Sequence, residues 1–189
     1  RKEETILIRG YITLLLLCTS AALSAQNTLY QPCAACHGAN GQGNIALGAP
    51  ALAGQQAGYL SRQLTHFRDG TRGAEAADTY GAQMRGMSVN LSDAQIEELA
   101  RYLSQLPVAP GAQMEASDTQ PSPASRRNGS NYYQASCGAC HGGNAEGNVA
   151  LNAPNLAMLD ADYLKRQMRH FQNGRRGSAP GDRYGKQMQ

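Results

Sequence analysis

One pentapeptide pattern occurs twice in this chain, as Cys33-Ala34-Ala35-Cys36-His37 and as Cys137-Gly138-Ala139-Cys140-His141. Sliding the sequence against itself by 104 residues aligns Cys33–Gly73 with Cys137–Gly177 without a gap, and 24 of the 41 positions are identical. The matches continue at Tyr80/Tyr184, Gly81/Gly185, Gln83/Gln187 and Met84/Met188. Repetition at this length marks two copies of one domain rather than a solenoid, whose units are shorter. The chain must therefore build the same housing twice around the same five residues.

A Cys-x-x-Cys-His run is the signal for covalent attachment of a c-type haem. Two intervening residues let one helical turn present both sulfurs to one edge of a porphyrin, where they add across the vinyl groups. The next residue then places its imidazole beneath the iron, which makes His37 and His141 the proximal ligands. Zinc sites and redox dithiols also use paired cysteines. The histidine directly after each pair, with no further Cys-x-x-Cys or His-x-His nearby, argues against zinc. The 189-residue chain is 41% apolar but has no tryptophan and only two phenylalanines. A domain of about 80 residues with so little aromatic material is marginal on apolar burial alone. Two covalently bound haem c groups would supply the missing core. Four of the five cysteines lie in the two motifs, leaving only Cys18.

Cys18 falls in a segment excluded from the fold. Arg1-Lys2 and Arg9 precede an apolar run from Tyr11 to Cys18, and small residues follow to Ala25. This is the pattern of a secretory signal, with cleavage expected after Ala25 and export to the periplasm as the consequence. The apolar stretch is short for a membrane span, and the bulky Leu17 disfavours lipid modification of Cys18. Residues 1–25 read as the signal peptide, 26–108 as the first domain, 109–130 as a Pro-, Gly- and Ser-rich linker, and 131–189 as the second domain. Arg126-Arg127 in the linker reads as a solvated pair. From Gln26 to Pro107 five basic residues face six acidic ones, a net of −1, and from Asn131 to Gln189 seven face four, a net of +3. Such asymmetry would let the two domains dock different partners by charge. The basic residues lack interleaved aromatics, so no nucleic-acid partner is expected.

Each copy is expected to be helical. A short helix carries the motif, entered from Tyr30 or from Tyr132-Tyr133, and a glycine-rich loop leads to Pro50 or Pro154. A second helix is predicted from Ala57 to Arg68 with Gly70 as its cap, and again from Ala161 to Gly174. Tyr59, Leu60, Gln63 and Phe67 share one face, as do Tyr163, Leu164, Gln167 and Phe171. A third helix opens at the capping box Ser92-Asp93-Ala94-Gln95 and runs with Ile96, Leu99, Ala100 and Leu103 as its stripe, to end before Pro107. The sequence starts at Arg1 and stops one residue after Met188, so a longer amino end and a further helix in the second domain are expected.

Met84 and Met188 are the candidates for the second axial ligand of each iron. They are equivalent in the repeat, 47 residues past each histidine, and a thioether ligand favours ferrous iron. Methionine as plain core filling is the competing reading. Met87 is a rival to Met84, whereas Met158 and Met168 lack counterparts in the first copy and read as packing. His66 and His170 are duplicated and offer a bis-histidine alternative. Each lies on the second helix beside an aromatic that should face inward, which favours a partly exposed imidazole tuning charge near a haem edge.

With these residues in place, the sequence resembles the dihaem cytochrome c4 family, two fused class I c-type domains. The stretch Met84-Arg85-Gly86-Met87-Ser88-Val89-Asn90-Leu91-Ser92 is similar to that family's segment from axial methionine to third helix, a register that selects Met84 over Met87. The resemblance covers Tyr30 to Pro107 and Tyr132 to Met188. It implies an all-α fold of two tandem cytochrome c domains, the second lacking its third helix in this sequence. It implies that Pro50 and Pro154 accept the proximal imidazole N–H from the second shell of the iron, and it offers Arg72 and Arg176 as partners for haem propionates. The implied activity is electron carriage without catalysis, from a quinol-oxidising complex or dehydrogenase to a terminal oxidase, with membrane association only through those partners. A dehydrogenase's electron-transfer subunit and a dihaem peroxidase are the alternatives.

Overall fold

The computed structural model describes residues 28–108 and 121–189. The signal segment 1–25, with Cys18, and linker residues 109–120 lie outside the described residues. Among those described, the chain is helical, with two isolated bridges, Asn44–Ala49 and Asn148–Ala153, in place of a sheet. No helix of the described residues is long and apolar enough to cross a membrane.

The first domain is assembled from four helices. Helix α1 (residues 28–37) carries the first motif at its end. Its Tyr30 is fully buried and donates its hydroxyl to the carbonyl of Gly38 at 2.8 Å. Helix α2 (Ala57–Asp69) ends on Gly70, whose φ of 80° lets its N–H reach the Phe67 carbonyl. Helix α3 (Thr79–Ser88) and helix α4 (Asp93–Gln105) follow, and α2 packs on both. The capping box at Ser92 forms as expected, with the Gln95 N–H donating to Ser92 Oγ at 3.3 Å and the Ser92 N–H to Gln95 Oε1 at 2.9 Å. Leu99, Ala100 and Leu103 of α4 close on Tyr30 and Leu60 to make the core.

Helix α3 is the element the sequence pattern did not announce. Asp78 caps it by accepting the Gly81 N–H at 2.9 Å. The helix sits directly on the turn below: a Cβ on Gly73, whose φ is +75°, would lie 2.4 Å from the Gly81 carbonyl oxygen. The second domain repeats this contact between Gly177 and Gly185 at helix α8 (Arg183–Lys186), again capped by an aspartate, Asp182.

The second domain begins earlier as structure than its composition implied. Residues up to Asn128-Gly129-Ser130 read as linker, yet helix α5 (Pro123–Ser136) starts at Pro123, capped by Ser122 Oγ. Proline is tolerated in a first helical turn, where its missing N–H has no intrahelical partner. Exposure is as expected for a linker, since α5 buries no residue. Helix α6 (Gly138–His141) then carries the second motif, and α7 (Ala161–Gln172) repeats α2. Tyr133 stands one residue further from its motif than Tyr30, but makes the same bond, donating to the Gly142 carbonyl at 2.6 Å.

The domains pack through α2 and α7 about an approximate two-fold relation. Arg62 donates to the Asn152 carbonyl at 3.0 Å and its repeat Arg166 to the Gly48 carbonyl at 2.6 Å. Gln55 clips the Asn155 backbone at both its N–H and its carbonyl. Ala51 joins Met158, Leu159 and Tyr163 in a shared apolar cluster. Met158 is thus packing, as anticipated; Met168 stands 43% exposed, at the position whose counterpart Leu64 packs on α4, a helix with no second copy among the described residues. His170 departs from expectation, being 7% exposed rather than partly exposed. Its Nδ1 lies 3.6 Å from Asp78, and His66 Nδ1 lies 3.9 Å from Asp182, both across the interface.

Two expected outcomes follow from this packing. Gly73→Ala places a Cβ against the α3 backbone in a left-handed conformation and should destabilise the holoprotein by about 2 kcal/mol, read as a lowered midpoint in denaturant. Burial holds His66 and His170 below the ordinary value of 6.5, outweighing the facing carboxylates that pull them up. Arg62, Arg72 and Arg176 around His66, and Arg72, Arg166 and Arg175 around His170, act in the same downward direction. The unfolded chain then takes up protons at these positions first as pH falls, so stability declines from about pH 6.5 downward. Denaturation of the holoprotein at about pH 7.5 and about pH 5.5 should show this loss, and the double replacement His66→Gln, His170→Gln should flatten it.

Candidate functional site

Each motif histidine is gripped by a proline carbonyl. His37 is 5% exposed and its Nδ1 lies 2.8 Å from the Pro50 oxygen; His141 is 5% exposed and its Nδ1 lies 3.0 Å from the Pro154 oxygen. A carbonyl can only accept, so Nδ1 carries the proton and Nε2 is the nitrogen left free to bind a metal. Burial also lowers the pKa of His37, which keeps its imidazole neutral.

The intervening loop is shaped to deliver that carbonyl. The Gly43 N–H bonds the His37 carbonyl at 2.8 Å, and Asn44 and Ala49 pair across the turn. A Cβ on Gly43 would come within 2.6 Å of the Ala51 nitrogen. Gly147, Asn148 and Ala153 repeat the arrangement. Where the first copy has Gly48 at φ 63°, the second has Asn152 at φ 55°, and asparagine is among the residues that tolerate this region.

An open cleft lies over His37, with about 1160 Å³ of empty space that runs out into the solvent at its mouth. Cys33, Cys36 and His37 form one wall, Met84 and Met87 of α3 line it as well, and the remainder is largely apolar, including Leu52, Leu60 and Phe67. None of the four motif cysteines is disulfide-bonded; Cys33 and Cys137 are half-buried, and Cys36 and Cys140 are exposed. Burial raises the Cys33 thiol pKa, and the neighbouring Cys36 adds to the effect. Among the described residues no group of three or more His, Cys, Asp or Glu side chains is placed to hold a metal ion by itself. The donor set fits a flat macrocycle that brings its own four nitrogens and needs two thiols and one imidazole. It does not fit a protein-ligated zinc.

The Pro50 and Pro154 carbonyls thus lie against their histidines, and Met84 lines the same cleft as His37. Met188 is half-buried just beyond α8, its N–H bonded to the Gly185 carbonyl at 3.0 Å. His66 and His170 face aspartates, not a cleft histidine, and give no bis-histidine pair. Arg72 and Arg176 are far from solvated: they are 7% and 8% exposed. Arg72 donates to Gln63, Gln167 and Tyr163, and Arg176 to Gln167, Gln63 and Tyr59, so that both guanidiniums share the two glutamine oxygens. Sequence reasoning missed this interface role for Gln63, Gln167 and both tyrosines, and missed Asp78 and Asp182 altogether. The signal was present, because Asp78 and Asp182 also match at a separation of 104.

Comparison with known proteins agrees with the geometry. The Cytochrome c family profile matches residues 25–107 and 127–189. The chain is 38% identical over 151 residues to the thiosulfate dehydrogenase electron acceptor of Thiomonas intermedia (strain K12), covering 78% of this chain and 66% of that protein. It is 35% identical over 150 residues to cytochrome c4 of Azotobacter vinelandii, covering 76% of this chain and 69% of the relative. The crystal structure of reduced recombinant cytochrome c4 from Pseudomonas stutzeri superposes with a TM-score of 0.62 at 28% identity, over 80% of each chain. The chain thus spans about two thirds of the length of these sequence relatives. It belongs to the dihaem cytochrome c4 family, two fused cytochrome c domains with covalently bound haem c.

Proposed function

We propose that the chain is a periplasmic electron carrier that holds each of two haem irons between a histidine and a methionine. In this reading Cys33 and Cys36 form the thioethers of the first haem, and Cys137 and Cys140 those of the second. His37 and His141 are the proximal ligands, Met84 and Met188 the distal ones. When bound, each haem supplies a one-electron ferric/ferrous couple.

The observation that carries the reading is that one cleft is lined by both His37, with Nε2 free, and the thioether of Met84, and that the sequence repeats both residues. Pro50 and Pro154 fix the imidazole tautomer and raise its basicity. The apolar walls exclude water, which keeps the site's polarity low and favours the less charged ferrous state. A thioether on the distal side blocks the position that peroxide would need, so the chain's residues bind and orient but transform no substrate.

For partners we infer redox proteins: a periplasmic dehydrogenase or quinol-oxidising complex as donor and a terminal oxidase as acceptor. The relative named as an electron acceptor of thiosulfate dehydrogenase supports the donor half. It also favours the second reading, a dedicated electron-transfer partner of one dehydrogenase, which would co-purify with its catalytic chain.

The oxidised holoprotein should show the weak near-infrared band of iron–thioether bonding, and Met84→Ala should remove about half of it and lower the potential of one haem. Met87→Ala should leave the band intact. Loss of the band in the Met87 variant instead, or its absence from the unaltered protein, would overturn the ligand assignment.

A further inference from the structure

The first cleft is not built by the first domain alone. Tyr163, Arg166 and Gln167, all on α7 of the second domain, line it. Arg166 lies with its guanidinium 4.3 Å from the Tyr80 ring centre and 5.3 Å from that of Tyr163. One of its terminal nitrogens donates to the Gly48 carbonyl, while its Nε is buried with no acceptor. Arg62 mirrors it from the first domain, 4.5 Å from the Tyr184 ring centre and bonded to the Asn152 carbonyl, with its Nε also buried and unpartnered.

With Arg72 and Arg176, four guanidiniums gather at this interface. Among the described residues none of the four lies within ion-pair distance of a carboxylate: Asp78 and Asp182 face His170 and His66, and act on Arg72 and Arg62 only from further off. Arginine stays charged at any physiological pH; Arg72 and Arg176 are buried and Arg62 and Arg166 half-buried, and a charge taken out of water without a direct partner is destabilising. The pairing of Arg72 and Arg176 on the same two glutamine oxygens brings like charges together without neutralising them. The missing anions have a source. A c-type haem is tied by thioethers at one edge and carries two carboxylates at the opposite one. In the first cleft the cysteines lie on the wall of α1, and Arg72 and Arg166 also line it, at the border with the second domain. Two haems would bring four carboxylates to four guanidiniums.

We propose that Arg166 is a positioning residue for the haem of the first domain and Arg62 for that of the second, so that each potential is set in part by a guanidinium from the other domain. This rests on the clefts being haem sites, as argued above. A fixed positive charge near the iron, or on its carboxylates, favours the ferrous state, which has one positive charge fewer. The effect crosses the interface, so the protein's two potentials depend on the domains staying docked, and each arginine acts on the haem its own domain does not hold.

The test is a haem-resolved redox titration of the holoprotein, following the haem methyl resonances of each site. Arg166→Gln should lower the reduction equilibrium constant of the first haem by at least about threefold and leave the second haem close to its original value. Arg62→Gln should do the reverse, and Arg166→Lys, which keeps the charge, should restore most of the loss. A shift confined to the haem of the arginine's own domain, an equal shift of both haems, or no shift would overturn the proposal. Failure of the underlying haem reading would appear separately, as absence of the six-coordinate spectrum from the unaltered protein.

Discussion

A single hydrogen bond in each domain, from a buried imidazole to a proline carbonyl, sets the terms for the surrounding structure. Without it the histidine ring could rotate or exchange its proton between nitrogens, and the free electron pair would not be held in one direction. The bond requires the carbonyl to face back toward the motif helix, which requires the chain to reverse twice in about a dozen residues. Gly43 and the left-handed turn at Gly48 make that reversal, with Gly147 and Asn152 in the copy. Proline at the acceptor position has no N–H of its own to satisfy and a fixed φ, so its carbonyl is well suited to stay in place. The glycine-rich loops are therefore the mount of the histidine and not slack between helices.

The opposite wall depends on a second close approach. Helix α3 can bring Met84 to the cleft only because Gly73 and Gly81 let two backbones meet where any side chain would intervene. The same pair recurs as Gly177 and Gly185 at α8, again beside an aspartate cap.

Legibility in the sequence followed how local the cause was. The capping box at Ser92, the glycine cap at Gly70 and the apolar stripe of α4 each depend on residues within a few positions, and all three read directly. The motif histidine was readable from the chemistry of the pentapeptide, and its proline only from the resemblance to the cytochrome c4 family. Helix α3 was obscured by its composition: Tyr80, Gly81, Gln83 and Gly86 have no clear apolar period, and packing against Gly73 holds the helix, not an amphipathic face. The start of α5 was obscured by prolines that usually break helices but here stand at its first turn. Burial of His170 and Arg176 came from the other domain, 92 residues away at Asp78 and 113 at Gln63, and no window along one chain contains that information. Repetition carried it indirectly, since interface residues on both sides of a two-fold must match.

Two copies that share 24 of 41 aligned positions meet at the interface in different ways. In the first domain α4 lays Leu99 and Leu103 over the core, and Leu64 packs beneath them. Met168, at the position equivalent to Leu64, is exposed where the described residues hold no counterpart of α4, while the second domain's buried residues Met158, Leu159 and Tyr163 close on Ala51 of the first. Met158 and Leu159 stand where the first copy has Gly54 and Gln55, at the positions where that cluster forms. Gln55, retained in the first copy, uses its amide to clip the Asn155 backbone there. One copy thus presents polar hooks and the other apolar bulk to the same contact, which breaks the symmetry that the four arginines preserve. Domains joined by a polar network alone are expected to move relative to one another, and an apolar cluster beneath the network opposes that motion.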